Sequence, residues 1–320
     1  MKESFHDFWK YVFERTKNAC FILFKFMIPI SFVIRIIQEL NLLEPISNVL
    51  TPVMQIVNLP PEMALVWLST MIVNIYGGFI AMFAIYPFME PITVAQMTTL
   101  CVMSLIAHTF PIELTIAKKT GIRLWVMFCI RFGFAIVAGI ILSNIYIIFG
   151  WLQEPLSMPL VGSSEHLSWG VWALHELQHY ALIACVIFCL VIVLHILQIT
   201  GIINLLNAVL KPALGWMGIG EEVLPLTVVG LTLGIAYGGG LLIEECQHKK
   251  IPPREVFYSM SFLGLFHSLI EDSLLMISMG ADWTGVFLFR AVFAFVIMFL
   301  VVHATKHISD KTFLRVFMRK

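Results

Sequence analysis

Charge is what this sequence has least of. Lys and Arg number 20 and Asp and Glu number 20 in 320 residues, so charged side chains are 12% of the chain, against roughly 25% in soluble domains. That scarcity excludes a water-facing globular surface. With 59% hydrophobic residues, only an integral membrane protein fits, because lipid takes up the apolar surface. The formal net charge is zero, which gives nucleic acid no footing. There is no low-complexity tract and no separate soluble domain. No catalytic triad, nucleotide-binding loop or paired metal motif is present, so the chain reads as a non-enzyme without a cofactor. Cysteine is sparse and scattered: Cys20, Cys101, Cys129, Cys185, Cys189 and Cys246 form no C-x-x-C pair. Cys185 and Cys189 share a helix face, but five of the six lie in or beside apolar segments and read as small hydrophobes.

No cleavable signal peptide is expected, since residues 1–17 mix acids, bases and aromatics. Phe5, Phe8, Trp9, Val12 and Phe13 fall on one helical face, with Asp7, Lys10 and Glu14 elsewhere. That pattern predicts an interfacial amphipathic helix leading into the first span.

What the chain does have is an internal echo. Tyr76-Gly77-Gly78 recurs as Tyr237-Gly238-Gly239. His108, Glu113, Gly121 and Arg131 recur as His267, Asp272, Gly280 and Arg290, each 159 residues later. Arg35, Gln38 and Pro52 recur as His195, Gln198 and Pro212, at a spacing of 160. This register implies two copies of one structural unit: a first repeat over 1–150, an outer linker over 151–169, and a second repeat over 170–320. Pro155, Pro159, Gly162, Ser163 and Ser164 mark the linker. Paired repeats interrupted by glycine at matching places point to a transporter with its site between the halves.

Apolar runs occur at about 18–40, 62–89, 91–117, 122–149, 170–199, 223–245, 256–279 and 283–305. Basic residues then set the sidedness. Lys2, Lys10, Arg15 and Lys17 place the N-terminus in the cytoplasm, and Lys118, Lys119 and Arg123 belong on the same side. So do Lys249, Lys250 and Arg254, and the tail bearing Lys306, Lys311, Arg315, Arg319 and Lys320. The loops at 86–91, 150–169 and 280–282 hold no Lys or Arg. Every loop is satisfied if 62–89 and 223–245 are re-entrant hairpins turning at Tyr-Gly-Gly, where glycine permits tight backbone. Each half then has three spans, and an odd number inserts the second half upside down. The expected fold is an all-α polytopic membrane protein, an inverted repeat. Each half holds three transmembrane helices, one re-entrant helical hairpin and an amphipathic surface helix, at 42–58 and 202–218. The rival eight-span reading puts Lys118, Lys119 and Arg123 outside.

Charges deep in lipid are costly, about 2.5–3.5 kcal/mol each on insertion scales. Glu113 and Arg131 lie nine residues either side of position 122, and Asp272 and Arg290 nine either side of 281. Equal distances from a tight turn mean equal depth, about 13 Å along each helix. The expectation is one structural ion pair per helical hairpin, with substrate contact as the alternative. His108 and His267 lie near mid-span. Two half-related histidines facing each other would make a central polar site that could relay protons. They also suit a soft or borderline divalent metal, with Glu271, one turn after His267, as third ligand. The plainer alternative is an interhelical hydrogen-bonded pair. Pro111, just after His108, frees carbonyls that can line a cavity. The hairpin tips offer Asn74, Tyr76, Gly77, Gly78, Tyr237, Gly238 and Gly239 for substrate contact, or are simply tight turns. Glu244 and Glu245 read as surface residues beside Lys249 and Lys250, or as a cation site. Lys25 is expected to snorkel to the headgroups.

The duplicated Tyr-Gly-Gly hairpins, the run His267-Ser268-Leu269-Ile270-Glu271-Asp272 and the Pro212 surface helix together resemble the Gate domain family, also called the nucleoside recognition domain. The resemblance covers nearly the whole chain as two tandem copies. Related domains occur in concentrative nucleoside transporters, in the membrane part of ferrous-iron transporter B and in paired sporulation membrane proteins. It implies a transporter-like fold with paired hairpins. The chain has no GTPase segment, so iron transport of that kind would draw on another energy source.

The function expected is that of a bacterial inner-membrane secondary transporter, multi-pass with both termini cytoplasmic. It would move a small polar solute, nucleoside-like in one version, by alternating access with proton coupling through His108, His267 or Glu271. A divalent-metal permease using His108, His267 and Glu271 is the second reading, and a non-transporting scaffold subunit the third. The expected partners are the lipid bilayer and a small polar solute or cation, with a homo-oligomer left open.

Overall fold

Backbone in lipid has no water to bond, so long apolar runs can only become helices. The structure, a computed structural model, describes residues 5–40, 43–157, 168–248 and 251–319. Pro159, Gly162, Ser163 and Ser164 of the linker lie outside the described residues, as do Lys2, Lys249, Lys250 and Lys320.

The first half runs α1 (Phe5–Glu39), α2 (Leu43–Ile56), α3 (Met63–Ile72), α4 (Ile75–Ile85), α5 (Val94–Ile106), α6 (Phe110–Lys119) and α7 (Leu124–Phe149). The second half repeats that order as α8 (Trp169–Ile199), α9 (Ile202–Trp216), α10 (Leu224–Leu233), α11 (Ile235–His248), α12 (Pro253–Phe266), α13 (Glu271–Ser278) and α14 (Arg290–Lys306). A short α15 (Asp310–Phe317) ends the order. Among the described residues there are no strands, only two isolated bridge pairs. Six helical stretches there are long and apolar enough to cross a bilayer: Phe5–Ile36, Val94–Lys119, Leu124–Phe149, Trp169–Ile199, Pro253–Ser278 and Thr284–Lys306. The chain is an all-α polytopic membrane protein.

The interfacial helix expected over 1–17 is not a separate element. It is the first part of α1, one continuous helix of 35 residues. At the helical rise this is about 52 Å, well beyond the roughly 30 Å hydrocarbon core.

Two spans are interior and four are wall. The apolar windows of Val94–Lys119 and Pro253–Ser278 are 67% and 78% buried inside the protein, whereas the other four are 22–39% buried. Val292, Val296, Phe299 and Leu300 on α14 stay exposed, as a lipid-facing stripe must. The two interior spans are also the two broken ones, α5–α6 and α12–α13.

The short arms α3–α4 and α10–α11 fold back on each other as helical hairpins. Their turns come earlier than the Tyr-Gly-Gly motif predicts, at Asn74 and at Gly234 (φ +97°). The motif sits instead in the first turn of the returning helix. Matching bonds set the structural register: Gly78 N–H bonds Asn74 O, and Gly238 N–H bonds Gly234 O, both at 3.2 Å. The hairpins correspond at a spacing of 160, so Gly78 matches Gly238 and Tyr237 stands where Gly77 stands. Tyr76 is half-buried on Phe79, whereas Tyr237 is 55% exposed. The two tyrosines are not equivalent.

The ends of the molecule sort by charge. Arg123 Nε donates to Met318 O at 2.9 Å, and Arg123 N–H to Phe317 O at 3.0 Å. Arg254 donates to Asp310 Oδ1 at 3.0 Å, to Thr305 O at 2.7 Å and to Ile308 O. The turn at 118–123, the start of α12 and the C-terminal helix thus share one end. At the other, Val94 and Ala95 N–H bond Glu154 and Leu152 carbonyls, Leu156 N–H bonds Ile92 O, and Asp282 N–H bonds Thr98 Oγ1. That end gathers the loops without Lys or Arg. The eight-span alternative requires 118–123 and the C-terminus at opposite ends, and the structure overturns it.

Helices α6 and α13 stop in the same way. Gly121 (φ +94°) and Gly280 (φ +92°) take the left-handed position. Ile122 N–H bonds Ala117 O and Ala281 N–H bonds Met276 O, each a Schellman ending. A Cβ at Gly121 would meet nothing closer than Met318 Cε at 3.6 Å. Gly121→Ala should therefore lose about 1–2 kcal/mol from backbone strain alone, read as a drop in denaturation midpoint. An unchanged midpoint would refute the strain account.

Candidate functional site at the twofold axis

Each interior span breaks just after its histidine. Thr109 and Ser268 both adopt φ +49°, a conformation a β-branched threonine rarely accepts. Thr109 N–H is held by Thr70 O at 2.9 Å and Leu269 N–H by Leu231 O at 2.8 Å, both from the hairpins. The hairpins thus brace the breaks.

A broken helix leaves its last carbonyls without partners, and here side chains meet most of them. Ser104 O accepts from His108 Nδ1 at 2.9 Å, and Leu263 O from His267 Nδ1 at 2.6 Å. Ile106 O accepts from Arg131 Nε at 2.9 Å and Leu105 O from an Arg290 Nη2 at 3.3 Å. Gly264 O accepts from Arg131 Nε at 3.1 Å and Leu265 O from Arg290 Nε at 3.2 Å. Each arginine reaches at least one carbonyl of its own half and one carbonyl of the other. Residues 105 and 106 correspond to 264 and 265, so the exchange is reciprocal, the signature of a twofold axis. His108 and His267 meet on that axis, with Nε2 atoms 3.2 Å apart.

Glu113 completes the cluster. Its Oε1 lies 3.3 Å from both His108 Nε2 and His267 Nε2, while Oε2 pairs with Arg131. His108, Glu113 and His267 are all buried. The ion pair expected between Glu113 and Arg131 is present. The one expected between Asp272 and Arg290 is not found among the described contacts. Arg290 donates to carbonyls, including His267 O at 2.9 Å, and Asp272 Oδ2 approaches His108 Nε2 at 3.7 Å. Helices α6 and α13 begin at this point, so Glu113 and Asp272 sit in first turns, where the helix dipole favours a negative charge.

Glu271, expected as the third ligand, is exposed instead. Glu113 takes that place. Asn74 caps α4, its Oδ1 accepting from Gly77 N–H at 2.9 Å. Gly78 and Gly238 serve close packing within the hairpins. Gly239 lets α11 approach α6, since a Cβ there would lie 2.5 Å from Ile116 Cγ2. Glu244 is exposed and Glu245 partly so. Lys25 is exposed, as snorkelling requires.

Sequence reasoning missed a second polar group between α1 and α8. Ser31 Oγ donates to Glu176 Oε2 at 2.8 Å and lies 2.6 Å from Tyr180 Oη. His179 Nδ1 is 3.5 Å from Glu176 Oε1, and its ring stacks on Phe83. Glu176 and His179, three apart in an apolar run, were the available signal.

No protein-family model matches the chain, and no solved structure matches it. A Bacillus subtilis (strain 168) protein described as uncharacterized membrane protein YvoD is 24% identical over 288 residues. The match covers 88% of this chain and 90% of that one. The chain is similar, over most of its length, to a membrane protein.

Proposed function

We propose that this protein is a secondary transporter of the inner membrane, with the His108–His267–Glu113 cluster as its cation site. The observation that carries this reading is the crossing of two broken spans at a twofold axis, with ionisable groups buried where they cross. Broken helices at the interface of inverted repeats are the architecture of alternating access around a fixed site. Buried ionisable groups within a membrane are expensive and mark ion or proton pathways. The basic end would face the cytoplasm, with both termini there. The Gate-like pattern of paired hairpins agrees with such a role.

The cluster is enclosed by the two interior spans and the hairpins. An open groove of about 490 Å³ lies elsewhere, against Trp216, Phe295 and Phe299 on α9 and α14. A cation or proton fits the axis in this conformation, and a small polar solute would enter after the halves exchange.

Reconstituted protein should take up a labelled solute from a panel of nucleosides, nucleobases, organic acids and divalent cations, driven by a pH or cation gradient. His267→Gln should abolish that uptake while leaving the folded yield intact. Uptake unaffected by His267→Gln would remove the cluster from the mechanism. Silence of folded wild-type protein across the panel would favour a scaffold.

A further inference from the structure

We infer that His108 Nε2, His267 Nε2 and Glu113 Oε1 form a tetrahedral site for a divalent transition-metal ion. Bonding fixes the tautomers. A carbonyl oxygen only accepts, so the 2.9 Å and 2.6 Å contacts to Ser104 O and Leu263 O require hydrogen on both Nδ1 atoms. Each neutral ring then turns an Nε2 lone pair toward the axis. Glu113 adds a carboxylate oxygen. Three acceptors converge, an arrangement that a cation between them stabilises.

The distances suit a metal. A proton shared by charged groups draws N and O to about 2.7–2.9 Å. The three separations here are 3.2, 3.3 and 3.3 Å. Ligands about 2.0–2.1 Å from a tetrahedral ion lie about 3.3–3.4 Å apart along each edge. The triangle matches one face of that tetrahedron. The fourth position is left to water or a carried group, since Asp272 Oδ2, 3.7 Å from His108 Nε2, is not part of the converging set.

The supporting shell is also that of a metal site. Ligating histidines donate their other N–H to a carbonyl or carboxylate, and ligating carboxylates are themselves bonded. Both histidines and Glu113, through Arg131, satisfy this. Two imidazoles and one carboxylate suit zinc, cobalt or ferrous iron better than magnesium or calcium. Arg131 and Arg290 bring two positive charges beside the ion and weaken its hold. That suits an ion that must leave again, and assigning it as the carried or coupling cation rests on the transport reading above.

The test uses full-length protein in detergent, stripped with chelator and dialysed against Zn²⁺, Co²⁺ or Mg²⁺ alone. Expected are one Zn²⁺ or Co²⁺ per chain, no Mg²⁺, and the intense visible absorption of tetrahedral Co²⁺. His108→Asn, His267→Asn and Glu113→Gln, each checked for folding, should weaken binding by at least the roughly 10–100-fold typical of outer-shell changes. Wild-type protein that binds neither ion, or folded variants that bind as wild type does, would overturn the site. These results separate the two readings. Absent metal with His267-dependent uptake of another solute sinks the metal site and leaves transport standing. A bound tetrahedral ion in protein that transports nothing leaves the site and removes its role as cargo.

Discussion

Arg131→Met should cost about 3–5 kcal/mol of stability, the range for breaking a buried ion pair from one side. Arg131 is fully buried, pairs with Glu113, and caps Ile106 O and Gly264 O. Methionine fills similar volume yet leaves a carboxylate and two helix-end carbonyls without a donor. Adding Glu113→Gln removes the orphaned charge, so the double variant should regain part of the loss. Arg290→Met provides the contrast. Its donors go to Leu105, Leu265 and His267 carbonyls, so Asp272→Asn should rescue little. Equilibrium denaturation in detergent reads all five proteins. Equal losses for Arg131→Met with and without Glu113→Gln would show that capping, not the ion pair, carries the energy.

Gly238→Ala should cost about 1–3 kcal/mol by overpacking, at the upper end because what it meets is backbone. An added Cβ would lie 2.3 Å from Gly230 Cα, 2.5 Å from Gly230 N and 2.9 Å from Leu226 O. No rotamer change relieves that, so the hairpin arms must part, and with them the brace that Leu231 O gives to Leu269 N–H. Gly78→Ala meets a side chain instead, Thr70 Cγ2 at 2.1 Å. Adding Thr70→Ser removes that methyl while keeping the hydroxyl bonded to Trp67 O at 2.7 Å. The Gly78→Ala, Thr70→Ser double variant should therefore approach wild-type stability. Gly238→Ala matching that double variant would refute backbone contact as the reason glycine is needed.

Membrane class, the element order of each repeat and the two ends of the molecule were legible in the residues alone. Hydropathy and the placement of Lys and Arg act segment by segment, through transfer from water, and need no tertiary contact to be decisive. The spacing of 159 between His108 and His267 likewise marked them as occupants of matching places in the two repeats. The course of the chain beyond each histidine was not legible. Glu271 lies four residues after His267, a shared face only if the helix continues. Ser268 at φ +49° breaks it and turns Glu271 outward. The matching break at Thr109 brings Glu113 onto the axis. The Tyr-Gly-Gly echo misled for a related reason: hairpin register is set by where backbones touch, at Gly230 and Gly238, and not by where letters repeat. Asp272 and Arg290 have the spacing of a pair, yet the arginine goes to carbonyls that only a helix end at that place exposes. Sequence determined which segments lie in the membrane and in what order, because burial in lipid is a property of each segment by itself. Tertiary structure decided which polar atoms meet, because that depends on the direction the chain takes after two broken helices cross.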